Sequence, residues 1–247
     1  MITARQEKLL DFIIKEYVKT ARPVGSILVA EKGGFDLSSA TIRSEMYGLE
    51  RTGYISHLHT SGGRVPTDKA YRFYVDRIVR NERIHPAPPT QKKIREMLTA
   101  VNNDAREINR AVANVLAGLS ENLVITNVVE QDDFYKTGLA SLFEFPEFRE
   151  FDRMFNLASF FDNFESMFDR IERNLSGESD SDVRVVIGKE NFLKTIQDET
   201  VILAKYNLPG NFTGSITLIG PTRMNYEKNI GLVRCMVNEI NEKIRGM

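Results

Sequence analysis

Apolar residues at Leu9, Leu10, Ile13, Ile14 and Tyr17 recur three and four apart, the stripe of an amphipathic helix. Thr3-Ala4-Arg5-Gln6 reads as its capping box, with the Thr3 hydroxyl on the Gln6 N–H and the Gln6 amide reaching back. Pro23 lies past its end, and a short second helix is expected over Ser26–Lys32, broken by Gly33-Gly34. Ser38-Ser39 offers an N-cap to a third helix that buries Ile42, Met46 and Leu49, with Gly53 as its C′ residue. The period then shortens to that of a strand, Tyr54 to Leu58. A Gly-rich tip follows, and Arg64-Val65-Pro66 returns. Thr67 or Asp68 caps a fourth helix with Tyr71, Tyr74, Val75 and Ile78 on one face.

Further on, His85-Pro86-Ala87-Pro88-Pro89 reads as a stiff spacer, and the first domain boundary is expected there. Ile94, Leu98, Val101, Ala105, Ile108, Val112, Val115 and Leu119 then alternate spacings of four and three, a heptad pattern. Such a helix either packs on its own domain or is shared across a dimer. Strands are expected at Leu123–Val129, Val183–Ile187, Val201–Tyr206 and Gly214–Ile219, with a last helix from about Tyr226 to Arg245. Nine of the fifteen phenylalanines fall between residues 143 and 168, where Phe148, Phe151, Phe155, Phe164, Phe168 and Ile171 are read as one helical face. The expected domains are thus 1–80, a linker and heptad helix over 81–120, and 121–247. For the dimer interface, Leu98, Val101, Ile108 and Val112 of the heptad and Phe151 and Phe155 of the aromatic stretch are the candidates.

Charge changes this picture in one respect. The chain carries a net charge of −1, but residues 1–80 hold 13 Lys+Arg against 9 Asp+Glu, whereas the remainder holds 20 against 25. A basic head on an acidic body suits a protein that touches a polyanion with one end. Three helices followed by a hairpin with a basic, Gly-rich tip is the order of a winged helix-turn-helix. On this reading the third helix is expected to present Ser38, Ser39, Thr41, Arg43, Ser44 and Tyr47 to double-stranded DNA, and His59, Thr60, Ser61, Gly62, Gly63 and Arg64 to form a wing along its backbone or minor groove, with Arg64 on phosphates; the other reading makes Arg43 and Arg64 surface charges and the hairpin only a turn.

The stretches Pro23-Val24-Gly25-Ser26, Leu37-Ser38-Ser39-Ala40-Thr41-Ile42-Arg43, His59 to Lys69 and Tyr71 to Asp76 resemble the heat-inducible transcription repressor (HrcA) family. So do Phe145-Pro146-Glu147-Phe148 and Gly220-Pro221-Thr222-Arg223-Met224-Asn225-Tyr226. The resemblance implies an α+β protein with a reduced GAF-like C-terminal domain, repression of chaperone genes through an inverted-repeat operator bound as a homodimer, release on heat stress, and support from a chaperonin. The chain departs from the family in Gly62 where Ala is usual, in Ser44 where Asn is usual, and in its shorter length. The inserted dimerising subdomain, and some sheet strands with it, are expected to be absent. Gly48 inside the third helix should weaken it by about 1 kcal/mol relative to Ala.

No catalytic function is expected. The three histidines, His57, His59 and His85, lack metal-spaced partners, and no G-x-S-x-G, P-loop or G-x-G-x-x-G occurs. No catalytic residue, metal or cofactor is therefore assigned. A lone cysteine, Cys235, the absence of a signal-like h-region and of a stretch of ~18 apolar residues point to a cytoplasmic protein without a membrane segment. The alternative function is a GAF-type small-molecule sensor or protein-interaction module, for which Gly220, Thr222 and Arg223 form the candidate anion-binding turn; the other reading of that turn is structural, with Arg223 in an internal ion pair.

Overall fold

The structure, a computed structural model, describes residues 2–57, 63–81, 83–175 and 182–246, with the backbone only at Asp169 and residues 172–175. The chain divides into two compact units, residues 1–77 with Thr222–Asn225, and 78–221 with 226–247. The segment expected as a separate linker and heptad helix, 81–120, thus falls within the second unit.

In the first unit, α1 (Ala4–Thr20), α2 (Ser26–Lys32) and α3 (Ser39–Arg51) precede a hairpin of β1 (Ile55–His57) and β2 (Arg64–Pro66), and α4 (Asp68–Arg80) runs on across the boundary. The capping box of α1 is present: Thr3 Oγ1 accepts from Gln6 N at 3.2 Å and Gln6 Oε1 from Thr3 N at 3.1 Å. Leu9, Leu10, Ile13 and Ile14 of α1, Val29 of α2, and Ile42, Met46 and Leu49 of α3 fill one core with Ile55 and Val75. Each such side chain contributes about 1.5–3 kcal/mol on burial. Ser56 pairs with Val65 across the hairpin, and Val24 bridges Arg64 on its other edge through two backbone hydrogen bonds of 2.8 and 2.9 Å. Arg77 ties α4 to α1 through Glu7 and Asp11.

The second unit is an antiparallel sheet between helices. Helices α5 (Pro88–Ala100) and α6 (Ala105–Ser120) lead into β3 (Leu123–Val128) and β4 (Asp133–Thr137). The short α7 (Leu139–Leu142) and the long α8 (Phe151–Leu175) follow, then β5 (Val183–Ile187), β6 (Glu199–Leu208), β7 (Phe212–Pro221) and α9 (Tyr226–Arg245). The strand order is β4-β3-β7-β6-β5. Leu123, Ile125, Val201 and Ile219 face α8, where Leu157, Phe160, Phe164, Phe168 and Ile171 close the core. The opposite face carries α6 and α9: Thr126 Oγ1 donates to the Asn109 carbonyl at 3.0 Å, and the Thr200 and Tyr226 hydroxyls meet at 2.9 Å. Tyr206 lies flat over its cross-strand partner Gly214, where a Cβ would collide with the ring. Its hydroxyl donates to Asn109 Oδ1 at 2.6 Å. Burial pushes that phenol well above its ordinary pKa, so it stays a donor.

Four expectations are corrected here. The heptad is not one helix: Val101–Asp104 breaks it, and the Asp104 carboxylate caps α6 by accepting from Arg106 N and Glu107 N, both at 3.0 Å. Within α6 the buried positions are Ala105, Ile108, Asn109, Val112, Ala113, Leu116, Ala117 and Ser120, while Val115 and Leu119 are only half-buried. That is the drift of a straight helix away from a 3.5-residue repeat. Second, Pro88 and Pro89 do not extend the spacer but open α5, since a first helical turn needs no N–H there. Third, Phe151 and Phe155 lie off the buried face of α8, because thirteen residues from Phe151 to Phe164 turn a helix by about 220°. Fourth, the stretch after the first expected body strand, where no strand is expected, holds a fifth strand of the sheet, β4, in which Asp133–Thr137 pairs with Val124–Val128.

Candidate nucleic-acid interface

Helix α3 is the element on which the expected DNA-reading residues converge. Ser38 is its N-cap, with Oγ accepting from Thr41 N at 3.2 Å and lying 2.9 Å from Thr41 Oγ1. Burial of Ile42, Met46 and Leu49 fixes which side turns outward: Ser38, Thr41, Arg43, Ser44 and Tyr47 are exposed, Tyr47 at 58%, and Ser39 is half-buried. Among the described residues Arg43 makes no hydrogen bond or ion pair. Lys69 donates to the Thr52 carbonyl at 2.7 Å, which closes the C-terminal end of the helix.

The two carboxylates of α3 are both withdrawn from this face. Glu45 takes a hydrogen bond from Arg5 at 3.3 Å. Glu50 accepts from Arg64 Nε and Nη2 at 3.3 and 3.2 Å and is also hydrogen-bonded to His57 Nδ1. What remains outward is a strip of hydroxyls, one phenol and, among the described residues, two unpaired guanidinium groups, those of Arg43 and of Arg51 in the last turn, a surface that offers donors to an anionic groove.

Arg64 is a correction. It was expected to grip phosphates from the wing, but its side chain is 14% exposed and engaged with Glu50. Leaving would strand a half-buried carboxylate, so the guanidinium serves to fasten the hairpin to α3. His59, Thr60, Ser61 and Gly62 lie outside the described residues, and Gly63 is half-buried at the foot of β2.

The candidate dimer residues separate. Leu98, Ile108 and Val112 are at most 2% exposed inside the second unit, and Val101 caps α5, its carbonyl accepting from Lys243 at 2.8 Å. Leu98, Ile108 and Val112 are thus spent on this chain's own core, whereas the Val101 side chain is half-buried. Phe151 and Phe155 are 70% and 61% exposed and stack on each other, with centroids 6.1 Å apart and rings inclined by 21°.

Of the two readings of the Gly220–Arg223 turn, the structural one fits the contacts it makes. Gly220 lies buried in β7 opposite Thr200, and Thr222 is half-buried. Arg223, 8% exposed, donates to the Val18 carbonyl at 3.1 Å within the first unit. A guanidinium already bonded to backbone is not an open anion site. Cys235 is buried, its thiol pushed up to about 11 by that burial, and so unreactive. Among the described residues there is no cluster suited to a metal ion, and no helix is long and apolar enough to cross a membrane.

Sequence reasoning overlooked Arg5 and the fit of Gln6 on α3. A Cβ at Gly48 would lie 2.8 Å from Gln6 Nε2, so this glycine leaves room for the capping side chain of α1. It also missed Arg234, 4% exposed in α9. Its guanidinium donates to the carbonyls of Val79 and Asn81 at 2.6 and 3.1 Å and to Asp182 at 3.2 Å.

The order of helices and hairpin in one unit and the helix-covered antiparallel sheet in the other define a two-unit α+β protein. Residues 81–230 match the family model described as the HrcA protein C terminal domain, and the chain belongs to the HrcA family. It is 28% identical to the heat-inducible transcription repressor HrcA of Thermoanaerobacter sp. (strain X514) over 336 aligned positions, covering 96% of this chain and 95% of that one. To the repressor of the same name from Clostridium tetani it is 25% identical, covering 98% and 95%. Both alignments run over more positions than this chain has residues, so these relatives carry segments without a counterpart here. A crystal structure at 2.2 Å of a hypothetical protein superimposes with a TM-score of 0.84, covering 100% of this chain and 99% of that one. At 21% identity that likeness is one of fold.

Proposed function

We propose that this chain is a sequence-specific DNA-binding repressor of heat-shock genes, whose first unit is a winged helix-turn-helix that places α3 in the major groove. The observation that carries this reading is the outward strip of α3, where Glu45 and Glu50 are neutralised by Arg5 and Arg64 while Arg43 has no partner among the described residues. A free guanidinium on a polar helix face is the group that reads guanine O6 and N7 bidentately. The names of its relatives, heat-inducible transcription repressors, support the same reading.

The operator is an inverted repeat read by a homodimer, since two-fold proteins read two-fold sites. Phe151 and Phe155 are the residues for that contact, because they form an exposed aromatic pair on a helix whose other side is core. The second unit is a GAF-like regulatory domain. Its opening on heat stress separates the half-site contacts and exposes the phenylalanine core to a chaperonin. Selection of bound duplexes from a random pool tests the reading: an inverted repeat is the expected product, and recovery of no common sequence would refute it.

A further inference from the structure

The start of α1 borders α3 on one edge only. At about 100° per residue, Glu45 and Gly48 lie to one side of the Ile42–Met46–Leu49 stripe and Glu50 to the other. Arg5 bonds Glu45 and Gln6 comes against Gly48, whereas the hairpin holds Glu50 through Arg64. The outward strip with Arg43 and Tyr47 runs between these two edges. A helix in a major groove about 12 Å wide has a phosphate backbone along each flank. The hairpin answers to one flank, and α1 to the other.

On the α1 flank an open cleft of about 470 Å³ lies between Arg5, Lys8 and Phe12 and the turn Gly33–Leu37 that leads into the Ser38 cap of α3. Lys8, three residues after Arg5 and so on the same side of α1, is exposed and has no hydrogen bond or ion pair among the described residues. Arg5 is 57% exposed and among the described residues uses only Nη1, on Glu45 at 3.3 Å, which leaves its other donors open there. One carboxylate, Asp36, also lines the cleft.

We propose that Arg5 and Lys8 form a second phosphate-binding edge of the head, on the flank of α3 opposite the hairpin, and that they hold the DNA backbone there. The inference rests on the DNA-binding reading above, and it names contacts that set register and affinity rather than sequence. Asp36 opposes them, so its removal strengthens binding.

The test is fluorescence anisotropy of the full chain on the selected duplex and on a scrambled one, across a salt series. Each phosphate contact contributes about 0.9 to the slope of log affinity against log salt, so Arg5→Gln/Lys8→Gln, which removes two contacts from each protomer of the bound dimer, should flatten that slope by about 3.6 on both duplexes. Between about 50 and 200 mM salt the double variant then loses roughly 150-fold less affinity than wild type does. Asp36→Asn should bind both duplexes more tightly. An unchanged slope in the double variant, with wild type still preferring the selected duplex, overturns this inference and leaves the DNA-binding reading intact. A wild-type chain with no preference for any duplex overturns the reading on which the inference rests.

Discussion

Removing Arg153 should cost the second unit more than any surface change, and the cost should depend on pH. Arg153 near the start of α8 donates to Glu199 through Nε at 2.8 Å and Nη2 at 3.0 Å, and to the Asp198 carbonyl at 2.6 Å. Its guanidinium also lies 5.0 Å from the Phe148 ring centroid. Glu199 is 2% exposed, and burial pushes its carboxyl above the ordinary range even with Arg153 beside it. Arg153→Met strands that carboxylate, a loss of about 3–5 kcal/mol near neutral pH. For a domain of this size, that lowers the midpoint of thermal unfolding by about 6–20 °C. The sign of the pH effect follows from a raised folded-state pKa: the neutral form is favoured by folding, so stability is full at low pH and falls as pH rises through that pKa. The loss in Arg153→Met should therefore shrink as the pH is lowered from 7 towards about 5. Arg153→Met/Glu199→Leu replaces both partners by apolar groups and should recover most of the stability at neutral pH. The assay is urea unfolding of the second unit followed by circular dichroism over that pH range. A single variant as stable as wild type, or a double variant worse than the single, would refute this account of how α8 is fastened.

Tyr206→Phe should cost about 1–3 kcal/mol by leaving the buried Asn109 amide without its donor, and Asn109→Leu in the same chain should restore part of it, as a double-mutant cycle in urea will read. Phe151→Ser/Phe155→Ser should leave the unfolding midpoint within about 0.5 kcal/mol of wild type, since both rings are exposed, yet yield monomers in light scattering; a persisting dimer removes these residues from the interface. On warming, DNA release followed by anisotropy should coincide with loss of ellipticity from the second unit, and release at a temperature where the unit is intact would exclude unfolding as the trigger.

The parts of the fold legible from the chain are those governed by neighbours in sequence. Thr3 and Gln6 announce their own capping box, Ser38 its cap, and the bounds of α2 and β2 fall where the punctuation by Gly and Pro puts them. Periodicity misled where two local rules competed. Asn102-Asn103-Asp104 is turn and N-cap chemistry, but the spacing of apolar residues runs straight across it, and the cap prevails because Asp104 satisfies two backbone donors at once. At Asp133–Thr137 the strand signal of Phe134 and Tyr135 spans only five residues, and pairing with β3 decides it. The role of Arg64 was illegible for another reason: its partner Glu50 is fourteen residues away and reached only once the hairpin folds back. The candidate site was legible as an α3 face, whereas its electrostatics, set by Arg5 and Arg64 on Glu45 and Glu50, belong to tertiary structure.

The central claim is that the outward face of α3 reads bases through Arg43. Affinity of wild type and Arg43→Ala should be compared on the selected operator and on operators changed one base pair at a time. A loss of about 1–3 kcal/mol is expected in Arg43→Ala, with preference relaxed at one position in each half-site and kept elsewhere. Unchanged affinity and an unchanged base profile in Arg43→Ala would contradict it.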